Sequence, residues 1–121
     1  DCAFACLKMV TNYFDMSIED IANSLPSEGV SVYKLVAAAK CLGFYAVALR
    51  ATFNDLKAVI PLPSIVFCDN SHYMVVYHID DNFVSVCDPA IGRIIYSRQE
   101  FEARWMLSDE GGVVVAIEPV L

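Results

Sequence analysis

A chain of 121 residues that is 57% hydrophobic and 19% charged is long enough to bury a core without metal or disulfide staples, and too apolar to stay disordered. Its net charge of -7 and its eight scattered Lys and Arg residues leave no basic stripe, which excludes nucleic acid as the main partner. The longest apolar run, VYKLVAAAKCLGFYAVAL, is broken by Lys34 and Lys40 and falls short of the roughly 20 apolar residues that a membrane helix needs.

Residues 2–14 place Cys2, Cys6, Met9, Val10 and Tyr13 at the helical period, with Asp1 where an N-cap would stand. A second helix is expected over MSIEDIANSL, where Ser17 and Asp20 imitate a capping box and Pro26 stops the turn. A third runs from Ser31 to about Leu42 and ends at Gly43. After Gly43 the period shortens. FYAVALR, SIVFCD, HYMVVYHI, FVSVCD, RIIYS and GGVVVAIEPV are short β-branched and aromatic runs separated by turn signals such as Asp80-Asp81-Asn82 and Ile91-Gly92. Helical pieces near FNDLKAVI and RQEFEARW interrupt them. This order predicts one α+β domain over residues 1–121, with N-terminal helices packed on a mainly antiparallel sheet. The chain has no initiator Met and no signal pattern, and is expected to be a piece cut from a longer protein with N-terminal residues missing.

Five cysteines, Cys2, Cys6, Cys41, Cys68 and Cys87, form an odd set with no CxxC spacing. That argues against a disulfide framework and against zinc, so neither metal nor cofactor is expected and a reducing compartment is. Cys2 at the head of a helix would meet unpaired N–H groups and the positive end of the macrodipole, which favour a thiolate. The competing reading is a small buried hydrophobe, which is the better account of Cys6 one turn further in.

A thiol nucleophile needs a base and a group to orient that base. His72 opens the strand HYMVVYHI, whereas His78 lies six residues on, roughly 20 Å along the strand, too far to share one thiolate. Asp88 ends the strand FVSVCD, because Pro89 forces the chain out of the sheet. The short Asp80-Asp81-Asn82 turn should pair the two strands as a hairpin, bringing the start of one against the end of the other and His72 beside Asp88. Taken singly, each has a plainer account: a polar residue near a turn for His72, turn initiation for Asp88. Together with Cys2 they have the Cys, His, carboxylate order of papain-like enzymes.

At this level of detail the chain resembles a known family. Asp1-Cys2 with Cys6-Leu7 and Met9, then GVSVYKLVAAAKCLGF, PLPSIVF, SHYMVVYHID and VCDPAIGRIIYSRQEFEARW, are similar to the papain-like cysteine peptidases that process double-glycine leader peptides, the N-terminal domains of ABC-type bacteriocin and peptide exporters. The resemblance covers essentially the whole chain. It implies Cys2 as nucleophile, His72 as general base and acid, and Asp88 as the residue orienting the imidazole. It also implies cleavage after a Gly-Gly type pair, a leader helix docked on a shallow apolar groove, and a narrow cleft that admits only small residues. The implied partners are the leader peptide and, in an exporter, the transmembrane and ATP-binding ATPase domains at the cytoplasmic face of the bacterial membrane, this segment itself being soluble and not inserted. Two features depart from the family pattern. Ala3 stands where Gly usually follows the Cys, and the oxyanion-stabilising Gln would fall ahead of Asp1; loss of one such donor typically slows turnover about 10²- to 10³-fold. Two other readings stay open: a weak or inactive relative that docks export substrates, and a different papain-like chemistry such as acyl transfer or isopeptide cleavage.

Overall fold

Helix α1 (Cys2–Tyr13) follows the period read from the sequence, with Ala3, Cys6, Leu7 and Val10 forming one fully buried apolar stripe. The computed structural model describes residues 2–14, 31–69 and 71–120, so the helix expected over MSIEDIANSL and the Asp1 cap lie outside the described residues. Helix α2 (Val32–Cys41) begins after Ser31, whose hydroxyl accepts a hydrogen bond from the Lys34 N–H at 3.2 Å. It stops where Gly43 takes a φ of 92°, a left-handed conformation that glycine adopts without a Cβ penalty.

Six strands follow: β1 (Phe44–Ala51), β2 (Ser64–Cys68), β3 (His72–Ile79), β4 (Phe83–Asp88), β5 (Gly92–Ser97) and β6 (Gly112–Pro119). They form one sheet in the order β1, β6, β2, β3, β4, β5, with every pairing antiparallel. Helices α3 (Phe53–Ala58) and α4 (Arg98–Trp105) sit in the connections, each opened by a reciprocal capping box, Thr52 with Asp55 and Ser97 with Glu100.

The N-terminal helices cover one face of the sheet, as expected: Leu7, Val10, Leu35 and Ala39 pack over Tyr73, Val75, Val115 and Ile117. The structure adds a second layer on the other face. There Phe53 and Leu56 of α3, with Phe101 and Trp105 of α4, close over Val66, Met74, Val76, Val86 and Val114. Burial on both faces is why β3 and β6 carry consecutive apolar residues instead of a strict alternation.

The hairpin of β3 and β4 positions the site. At its turn, Asp80 Oδ1 accepts from the N–H groups of Asn82 at 2.9 Å and Phe83 at 2.8 Å, and these two donors hold its carboxyl below the usual carboxylate range. The register that follows pairs Ile79 with Val84 and His78 with Ser85, then shifts at a bulge, then pairs Val76 with Val86 and Val75 with Cys87.

Candidate active site

Asp88 is the last residue of β4, because Pro89 has no N–H with which to extend the ladder. The same proline makes Ala90 the first donor past the corner, and its N–H donates to Asp88 Oδ1 at 2.8 Å in an Asx turn. The turn-forming role of Asp-Pro and the placing of its carboxylate are therefore one arrangement. Asp88 is 2% exposed, a burial that a carboxylate tolerates only with partners.

Its second partner is His72, whose Nε2 lies 2.8 Å from the same Oδ1. Beside a carboxylate oxygen, Nε2 carries the proton and donates, which leaves Nδ1 as the acceptor nitrogen of the neutral ring. The last paired residues before the corner are Val75 and Cys87, so the imidazole leans along the strand to reach the carboxylate. The His72 side chain is 23% exposed, mostly enclosed by the protein with a smaller part open to solvent.

Cys2 is the first residue of α1, half-buried and packed on the apolar cluster beneath that helix. Tyr73, the neighbour of His72, belongs to the same cluster, and its phenol is pushed up to about 12 by burial and by the Cys2 and Cys6 thiols. The head of α1 thus stands beside the start of β3. Burial, and after it the charges of Cys2, Cys87 and Asp88, push the Cys6 thiol far up, so Cys2 and Asp88 lie within electrostatic reach of one buried thiol. His78 stands apart: its side chain is 71% exposed and its Nε2 is 3.9 Å from Asp80 Oδ2, at the far end of the hairpin.

The thiols therefore differ in reactivity. Burial pushes the Cys68 thiol up to about 12, against a smaller opposing pull from Arg104. A raised pKa keeps a thiol protonated below that value, so at about pH 7.5 Cys68 is almost entirely thiol. Iodoacetamide at that pH is expected to modify Cys2 and the exposed Cys41 while Cys6 and Cys68 stay unmodified, as read by peptide mass spectrometry. Modification of Cys6 or Cys68 at the rate of Cys41 would contradict this order.

A groove of about 770 Å³ runs along α1 and across β3, β4 and β5, lined by Met9, Tyr13, Tyr77, Cys87, Ile94 and Ile95 among others. It passes Cys87, the residue before Asp88. Among the described residues, no group of three His, Cys, Asp or Glu side chains could hold a metal ion. The contribution that sequence reasoning missed is the Ala90 N–H. The Asp-Pro-Ala order carries the signal, since a proline after the aspartate hands the Asx donor to the next residue.

This arrangement has relatives. The chain matches the Peptidase C39 family over residues 1–115. It is 33% identical over 117 residues to the pediocin PA-1 transport/processing ATP-binding protein PedD of Pediococcus acidilactici, covering 87% of this chain and 16% of that protein. It is 30% identical over 104 residues to the probable microcin-H47 secretion/processing ATP-binding protein MchF of Escherichia coli, covering 83% of this chain and 15% of that one. The chain thus spans only a small part of the length of these relatives. Among solved structures, a double glycine motif protease from an AMS/PCAT transporter, in complex with the leader peptide, superimposes with a TM-score of 0.85 at 22% identity, over 99% of this chain and 85% of that one. The peptidase domain of Streptococcus ComA does so with a TM-score of 0.81 at 23% identity, over 99% and 92%. A family match that takes in both ends of the His72–Asp88 hairpin, on a sheet and helix arrangement shared with these peptidase domains, fixes the lineage: the chain has the papain-like α+β fold and belongs to the Peptidase C39 family of cysteine peptidases.

Proposed function

We propose that this chain is the leader-cutting part of a peptide exporter, hydrolysing the bond after a Gly-Gly type pair with Cys2 as nucleophile, His72 as general base and acid, and Asp88 as the residue that orients the imidazole. The observation that carries the reading is the 2.8 Å bond from His72 Nε2 to the buried Asp88, formed beside the head of α1. It supports the tautomer whose free Nδ1 would, in this mechanism, take a proton from Cys2.

In the first half-reaction, Nδ1 accepts the thiol proton as Sγ attacks the carbonyl carbon, giving a tetrahedral oxyanion. The carbonyl re-forms, the C–N bond breaks, and the imidazolium returns its proton to the leaving amine. The leader is then a thioester on Cys2. Water attacks it, losing a proton to Nδ1, and the leader departs as a carboxylic acid while Sγ regains its proton. Asp88 stays ionised throughout and stabilises the imidazolium at each half-step.

The apolar groove beside Cys87 suits one face of an amphipathic leader helix, with Tyr13 and Tyr77 as aromatic anchors whose rings lie 6.2 Å apart. In this reading the transmembrane and ATPase domains of the exporter lie elsewhere in a longer chain, and the peptidase works at the cytoplasmic face. Support comes from the transport/processing names of the relatives, which are several times longer than this chain.

A synthetic leader ending in Gly-Gly, extended by a short cargo, is expected to be cut once, after the second Gly, as read by liquid chromatography and mass spectrometry. Leu at either Gly should lower the rate by at least about 10²-fold, because a narrow cleft excludes the added side chain. An intact leader after prolonged incubation, or equal cutting of the Leu peptides, would overturn the reading.

A further inference from the structure

The turn between β2 and β3 delivers His72, and α4 grips it. Arg104, on α4, sends Nε to Asp69 Oδ2 at 3.0 Å and Nη2 to the same oxygen at 2.6 Å. The main chain repeats the connection in the other direction, with the Asp69 N–H donating to the Arg104 carbonyl at 3.0 Å. The turn closes on itself through the Ser71 N–H and the Cys68 carbonyl at 3.1 Å, and the next residue is His72, which pairs with Cys68 as β3 begins. Asp69 holds a φ of 54°, a left-handed conformation that costs a non-glycine residue energy and persists only where its surroundings impose it.

Arg104 is itself held. Its Nη1 donates to the Tyr96 hydroxyl, and its guanidinium lies 5.4 Å from the Tyr96 ring centre. The Asp69 carboxylate keeps the guanidinium above its usual range. Isolated surface ion pairs are worth little. This one differs because its carboxylate and its backbone both bind one arginine, across 35 positions of sequence, at the turn immediately before the proposed base.

We propose that Asp69 and Arg104 are positioning residues for His72: they clamp the β2–β3 turn so that the imidazole stays on Asp88 and keeps Nδ1 toward Cys2. The proposal rests on the Cys2–His72 pairing given above. Neither residue touches the reacting atoms in this scheme. Misplacing a reacting group by about 1 Å can cost a factor of 10².

The test uses Asp69→Gly, which retains the left-handed turn without the carboxylate, and Arg104→Lys, which retains the charge but not the fork. Folding is checked by circular dichroism. Cys2 alkylation by iodoacetamide is followed by peptide mass spectrometry in the unaltered chain, in both variants and in His72→Ala. Cleavage of the Gly-Gly peptide is split into kcat and KM. The clamp predicts that each variant folds, alkylates Cys2 more slowly and loses about tenfold in kcat with KM within about twofold. If His72→Ala slows alkylation while folded Asp69→Gly and Arg104→Lys match the unaltered chain, the clamp alone is overturned. If His72→Ala leaves the Cys2 rate unchanged, the pairing fails and the clamp falls with it.

Discussion

Replacing His72 by alanine is expected to lower kcat for a Gly-Gly leader peptide by about 10³- to 10⁴-fold, with KM within about threefold of the unaltered chain. The size follows from what the imidazole would do twice in the proposed mechanism: take the thiol proton as Sγ attacks and return it to an amine that would otherwise leave as an anion. Among the described residues, the second histidine is not placed to substitute. His78 is the remaining histidine in the chain, and its exposed side chain sits at the Asp80 end of the hairpin. His78→Ala is accordingly expected to cleave like the unaltered chain and serves as the matched control. In the proposed docking the leader would contact the groove along α1 and β3 to β5 instead of the imidazole, which is why binding is expected to survive. Progress curves under single-turnover conditions decide the matter. A His72→Ala chain that keeps more than a tenth of the rate would remove His72 from the mechanism.

Much of this was legible in the residues, and the reason is local. The change of period at Gly43, the helix start at Ser31 and the breaking of β4 by Pro89 are each decided within a few residues of sequence. The meeting of His72 and Asp88 was readable for the same reason: a tight turn at Asp80 fixes which strand ends face one another. What stayed hidden is non-local or small. Strand β6 inserts between β1 and β2, a choice made by apolar faces far apart in sequence, which no spacing encodes. The second helical layer depends on α3 and α4 returning to the sheet, so FNDLKAVI and RQEFEARW read as helices without revealing which face they cover. The bulge between Val76 and His78 shifts the register by a single residue and has no glycine to announce it. The Asp69–Arg104 pair joins residues 35 positions apart, and each alone is an ordinary polar residue.

Asp88 separates charge from geometry as the source of its effect. In Asp88→Ala, the Ala90 N–H and the His72 Nε2–H both lose their acceptor in a buried corner, which should cost about 1–3 kcal/mol of stability and, with the imidazole free to turn, about 10²- to 10³-fold in kcat. Asp88→Asn should behave differently. An asparagine can present either its oxygen or its NH₂ to the histidine, and a flipped amide would give the ring a donor and the wrong tautomer. Here the Ala90 N–H already points at the position of Oδ1, so a flipped amide would set its NH₂ against two donors at once. The oxygen is therefore held in place, Nε2–H keeps its acceptor, and Nδ1 remains the basic nitrogen. What is lost is the charge assistance, about 1 kcal/mol, so Asp88→Asn should retain a tenth or more of kcat. Urea midpoints and kcat for the two variants, measured side by side, test this. Equal losses would mean that the carboxylate acts by its charge, and that the Asx turn at Pro89 does no more than end the strand.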